Sequence, residues 1–179
     1  MKVLLDACVL YPTVLRELLL AVAAKGLFTP LWSARILEEW GRAARKLGPV
    51  GEAQARGEIA LLRAAWPDSE VVGQDGLAAR LWLPDPADIH VLAAAISGSA
   101  EILLTFNARD FPRHILEAEE VQRKNPDAFL MGLWYGAAED VTDAVRGVHA
   151  TACAMAGETL DLRALLKRAR LPRLGKALG

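Results

Sequence analysis

The sequence predicts an α/β fold in which a central parallel sheet carries helices on both faces and is followed by a helical C-terminal extension. Three observations carry this. Short apolar runs at residues 3–5, 27–32 and 101–105 alternate with segments of helical periodicity. Beyond residue 125 only helical segments follow, near 126–137, 138–156 and 160–170. The 179 residues, 53% hydrophobic and 24% charged, suffice for one domain with an appendage and a substantial core. The expected division is an α/β domain over 1–120 and a helical extension over 121–179.

Val3-Leu4-Leu5 runs apolar into Asp6, and Val9-Leu10 follows; this reads as a buried strand with Asp6 at its C-terminal end. Tyr11-Pro12 breaks it. Thr13 then caps a helix with Leu15, Leu18, Leu19 and Val22 at helical spacing, closed by Gly26. Ser33 is the expected N-cap of a helix over 34–47, in which Ile36, Leu37, Trp40, Ala43, Ala44 and Leu47 recur at steps of three and four. Gly48-Pro49 is expected to end it, and a further helix covers 52–66. Residues 70–83 hold two short apolar runs, Val71-Val72 and Leu77 to Leu83. Asp85, with Pro86 at the first helical position, starts a helix that runs to Gly98. The strand at 101–105 leads into a polar turn over 106–112.

The net charge is -1, so nucleic-acid binding would have to come from a local patch. No apolar run approaches the roughly 20 residues that span a bilayer, and the N-terminus places an acid after a very short apolar stretch. The expectation is a cytoplasmic protein without a membrane partner. Cys8 and Cys153 make neither a disulfide framework nor a zinc pattern. His90, His114 and His149 have no metal-ligand spacing, and neither a glycine-rich phosphate loop nor a GxSxG elbow is present.

The carboxylates are the informative residues. Asp6 ends an otherwise apolar strand, where an uncompensated charge is costly. Glu39 lies beside the apolar face set by Ile36 and Trp40, with Glu38 next to it on the turn. Asp88 follows the Asp85 cap by three residues, as in a capping box. Asn107 and Asp110 bracket the turn after the 101–105 strand. Each has a structural alternative: a backbone acceptor, a surface charge, a cap, a turn former. Together they fall where strand ends gather functional groups in parallel sheets. Several carboxylates in one pocket resist ionising unless a cation joins them, and Mg²⁺ or Mn²⁺ takes such oxygen ligands. The chemistry this suits is phosphodiester hydrolysis.

Val-Leu-Leu-Asp-Ala-Cys-Val-Leu (3–10), Ser-Ala-Arg-Ile-Leu-Glu-Glu (33–39), Asp-Pro-Ala-Asp-Ile-His-Val-Leu-Ala-Ala-Ala (85–95) and Leu-Leu-Thr-Phe-Asn-Ala-Arg-Asp-Phe (103–111) resemble the ordered motifs of PIN-domain nucleases. The similarity covers residues 1–115 and is closest to VapC-type toxins of toxin–antitoxin pairs, including members with a helical C-terminal extension. The resemblance implies a three-layer α/β/α fold and metal-dependent cleavage of RNA. It carries Asp6, Glu39, Asp88 and Asp110 onto the family's metal-binding acids. Asp6 and Asp88 would hold the principal ion, Glu39 would bind it or orient the water, and Asp110 would complete the site. Asn107 is a supporting residue or the fourth ligand itself, and Thr105 could hydrogen-bond an acid or a phosphate. Cys8 stands where many members have Asn or Ser, and a thiol is a poorer hydrogen-bond partner for Asp6.

The resemblance also implies a cognate antitoxin and allows a homodimer. Arg35 and Arg42 on the Glu39 helix, with Arg45 and Lys46, are candidates for RNA contact, as are Lys167 and Arg168. The last two belong to a segment after Asp161 that also holds Arg163, Arg170, Arg173 and Lys176 and no acid. The alternative function is a non-catalytic RNA-binding or scaffolding member of the same fold.

Overall fold

The structure is a computed structural model and describes residues 1–72 and 75–179. In chain order the elements are β1 (Lys2–Leu5), α1 (Ala7–Leu10), α2 (Thr13–Ala24), β2 (Thr29–Ser33), α3 (Ala34–Ala43), a 3-10 turn (Ala44–Leu47), α4 (Gly48–Ala65), β3 (Glu70–Val71) and α5 (Asp75–Ala78). A second 3-10 turn (Pro86–Asp88) follows, then α6 (Ile89–Ser97), β4 (Ile102–Leu104), α7 (Arg113–Ala118), β5 (Gln122–Lys124), α8 (Pro126–Gly136), α9 (Ala138–Ala156), α10 (Leu162–Arg168) and α11 (Pro172–Leu178). The strands form one five-stranded sheet in the order β3-β2-β1-β4-β5, parallel and flanked by helices, which is the expected α/β class. Among the described residues, no helix is long and apolar enough to cross a membrane.

The chain divides into two compact units, one made of Met1–Tyr11 with Thr29–Arg123, the other of Pro12–Phe28 with Lys124–Gly179. In the first, β1 is the central strand: Val3 lies opposite Pro30 of β2 and Ile102 of β4, and Leu5 opposite Leu104. Val3, Leu4 and Leu5 are fully buried, as a strand covered on both faces requires. The strand stops at Asp6. Val9 and Leu10 lie in α1, and their amides donate back to the Asp6 carbonyl at 2.9 and 3.1 Å. Ser33 caps α3 as expected, its hydroxyl accepting from the Ile36 amide at 3.2 Å. Gly48-Pro49 closes the 34–47 helical segment as expected, with Gly48 capping the 3-10 turn, and also opens α4. Gly48 takes a φ of 83°, which reverses the chain at low steric cost, and Pro49 falls in the first turn of α4, where no intrahelical N–H is needed. The elements α7 and β5 went unread, since Gln122-Arg123-Lys124 carries no apolar signal.

In the second unit α2 packs on α9, and Lys25 reaches Asp143 at 3.7 Å and Asp140 at 4.0 Å. Phe28 meets Phe129 of α8 edge-on at 5.2 Å. The helix α11 lies beyond the expected last helix, because Pro172 starts a new one where the chain reads as breaking. Its first turn is held by Asp127, 5% exposed, whose two carboxylate oxygens accept from the Arg173 and Leu174 amides at 3.0 and 3.1 Å. A charge at a helix N-terminus is favourable, and here it also closes two orphan donors.

Replacing Asp127 with Ala leaves those two amides unpaired in a buried setting. The expected loss is about 2–4 kcal/mol, read as a lower urea midpoint at unchanged slope.

Candidate metal centre

Four elements of the first unit deliver acidic side chains to one place. The end of β1 delivers Asp6, whose amide donates to the Leu104 carbonyl at 3.1 Å and so ties it to the end of β4. The side chain is 8% exposed. Thr105, buried at the end of β4, donates from Oγ1 to Asp6 Oδ2 at 2.6 Å. The Cys8 thiol, one residue into α1, donates to the same oxygen at 3.1 Å and accepts from the Phe106 amide at 3.4 Å. Burial, and then the Asp6 charge, pushes this thiol up to about 12, so it stays protonated and remains a donor. Cys8 therefore does support Asp6, against the weaker partnership expected of a thiol.

Asp88 ends the Pro86–Asp88 turn, just ahead of α6. Its pKa is pushed up to about 6 from an ordinary 3.8, first by burial and then by the charges of Asp6, Asp85, Asp110 and Glu39. One oxygen each of Asp85, Asp88 and Asp110 lies within 4.8 Å of the others. Asp85 was legible only as a cap, a role it keeps by accepting from the Ala87 amide at 2.9 Å. Its spacing of three from Asp88 was the available signal that both acids share a turn.

The 106–112 turn is built around Asn107. The Asn107 amide N–H donates to Thr105 Oγ1 at 2.9 Å and Nδ2 donates to Asp88 Oδ2 at 3.1 Å, while Oδ1 accepts from the Asp110 amide at 3.3 Å. Phe111 is fully buried beside it, and Arg123 clamps the turn by donating to the Phe111 carbonyl at 2.8 Å.

Helix α3 separates its two glutamates. Glu38 receives hydrogen bonds from Arg56 at 2.9 Å and from Arg42 at 3.0 Å, which hold it down at about 2. Arg42 is thus engaged with Glu38. Glu39 instead has His90 Nε2 at 2.7 Å from Oε1 and Arg35 Nε at 3.7 Å. Arg35 also donates to the Ala87 carbonyl at 3.4 Å, between Asp85 and Asp88. His90 is 8% exposed, and neither ring nitrogen makes an aligned hydrogen bond despite the short approach to Glu39. Nothing in the sequence marked His90, because its neighbour lies on another helix. Lys167 and Arg168 are exposed in the last turn of α10, in the second unit.

The cluster fits a divalent cation. Its donors are hard carboxylate oxygens, and the charges of Asp6, Asp85, Asp110 and Glu39 add to burial in raising the proton affinity of Asp88. A soft or imidazole-preferring ion finds no matching ligand set there. A family model described as PIN domain matches residues 2–109. Comparison with curated proteins and with solved structures gives no match.

Two expectations follow from this geometry. Asp88 binds its proton more tightly folded than unfolded, so metal-free protein loses stability as pH rises from 3.8 through about 6. Thermal melts in EDTA across that range test this, and Asp88→Asn should flatten the slope. His90→Phe keeps a ring but no N–H, and should weaken Mn²⁺ binding about tenfold by calorimetry.

Proposed function

The chain belongs to the PIN-domain family, and from that premise we propose that it is a metal-dependent endoribonuclease of the VapC type, the toxin of a toxin–antitoxin pair. The observation that carries this reading is Asp88, a carboxyl group whose proton affinity is raised by burial and by four neighbouring acids at the end of a parallel sheet. Asp6, Asp88 and Asp110 would hold Mg²⁺ or Mn²⁺, joined by Asp85, which shares the 4.8 Å cluster of Asp88 and Asp110, and by Glu39. When bound, such an ion offsets the phosphate's charge and acidifies water.

The chain's own residues do the rest. Thr105 and Cys8 fix the Asp6 carboxylate by donating to one of its oxygens. Asn107 orients Asp88 through its amide nitrogen and fastens the Asp110 backbone through its amide oxygen. The engagement of both ends of that side chain favours Asp110 over Asn107 as the fourth ligand. Glu39, set by His90, binds the ion or orients the attacking water. Arg35, which donates to the Ala87 carbonyl beside these acids, would meet a substrate phosphate. In the reaction water adds to phosphorus, the P–O bond to one ribose oxygen breaks, and that oxygen leaves with a proton. A cognate antitoxin would inhibit by presenting a basic side chain to the same acids. The setting would be the cytoplasm, with a homodimer as the free form.

The test is incubation of the purified chain with total cellular RNA, with Mg²⁺, with Mn²⁺ and with EDTA, beside Asp6→Asn and Asp88→Asn. Cleavage should require metal and fall by at least about a hundredfold in both folded variants. Wild-type protein that binds neither metal and leaves RNA intact would return the chain to the non-catalytic reading.

A further inference from the structure

The helical hairpin α10–α11 is a built surface and not a loose tail. Asp161 caps α10 by accepting from the Ala164 amide at 2.6 Å, and Asp127 holds the start of α11. The two helices approach so closely at Gly175 that an added Cβ would lie 3.2 Å from Leu166 Cβ. Leu165, Leu166, Leu171 and Leu174 are all buried. What the hairpin shows to solvent is Arg163, Lys167, Arg168, Arg170, Arg173 and Lys176.

Residues 162–179 contain no Asp or Glu. Among the described residues Arg163, Lys167, Arg168, Arg173 and Lys176 form no ion pair. Five of the seven acids of this unit are engaged elsewhere: Glu17 with Arg16, Asp140 and Asp143 with Lys25, and Asp127 and Asp161 with backbone amides. The unit carries ten Lys and Arg against seven Asp and Glu, whereas the first unit carries eleven against fifteen. Six of the ten cations of this unit, and none of its acids past Asp161, lie on the hairpin.

We infer that the outer face of the α10–α11 hairpin binds the phosphate backbone of single-stranded RNA, supplying affinity that the acidic first unit cannot. The inference rests on the ribonuclease reading for its choice of polyanion, and the hairpin's surface agrees with that choice. An interface with a folded protein needs apolar anchors at its centre, and no large hydrophobic side chain of the hairpin is exposed. A cation array without such anchors suits an evenly charged strand, bound through counterion release and without regard to sequence.

The experiment uses the full chain in EDTA, which separates binding from cleavage and from metal. Anisotropy of a labelled, mixed-sequence RNA of about 20 nucleotides is followed as salt is varied. At about 0.7 per phosphate contact, the triple variant Lys167→Ala/Arg168→Ala/Arg173→Ala should lower the log–log salt slope by about 2 and weaken binding at least tenfold. The separate pair Arg163→Gln/Lys176→Gln should lower the slope by about 1.4, and Arg168→Lys/Arg173→Lys should leave it unchanged. An unchanged slope in either folded neutralising variant overturns the inference. So does tighter binding of polyglutamate than of RNA at equal ionic strength, which would assign the face to an acidic protein. A chain that binds RNA through the hairpin and never cuts it fails the ribonuclease reading alone; one that cuts RNA with an unaltered slope fails only this inference.

Discussion

Mutual repulsion among carboxylates around Asp88 is the constraint on which the arrangement of the first unit depends. Asp6, Asp85, Asp110 and Glu39 all push the Asp88 proton affinity up. The groups that fix the innermost of these acids are neutral donors: the Thr105 hydroxyl and the Cys8 thiol on Asp6, the Asn107 amide on Asp88. A neutral donor sets a carboxylate's orientation and leaves its charge in place. The adjacent glutamates on α3 show the contrast. Glu38 is neutralised by two guanidinium groups and held low, so it is structural. Glu39, one residue on, meets a buried imidazole and only the edge of Arg35. The chain thus separates acids that brace α3 against α4 from acids whose charge stays available to a cation from outside.

Cys8 illustrates how far such a role depends on surroundings rather than residue type. A free thiol is a weak donor, but burial and the Asp6 charge together forbid its ionisation, leaving S–H as its only state near neutral pH. The same conditions make it a poor nucleophile, so the support of Asp6 is insulated from thiol chemistry.

Much of the fold was legible because local and global signals agreed. The run Val3-Leu4-Leu5 closing on Asp6 states both a buried strand and its functional end, and Ser33 and Asp85 mark helix starts through capping chemistry. Elsewhere the local signal was silent or pointed the other way. The three polar residues of β5 are strand only because β4 offers them an edge, with Gln122 donating to the Glu101 carbonyl at 2.9 Å. Gly48-Pro49 reads as a stop and serves as both a stop and a start. Asp85 has a sufficient local role as a cap, which hid its place among the acids. His90 owes its interest to Glu39, 51 positions earlier, and no periodicity reports a contact between two helices.

The early helix α2 has a consequence for how the chain is made. During synthesis, residues 12–28 leave the ribosome long before the segment that completes their unit, which begins at Lys124. The first unit can assemble its sheet as Thr29–Arg123 emerge, while α2, with its row of leucines, waits for α9. For that interval the growing chain carries an amphipathic helix without its docking partner, the kind of surface that cellular holdases recognise. A stop codon between those for Lys124 and Ala138, ahead of α9, would make that interval permanent. Such a product would retain every acid of the candidate centre and still be handled by the cell as an unfinished protein.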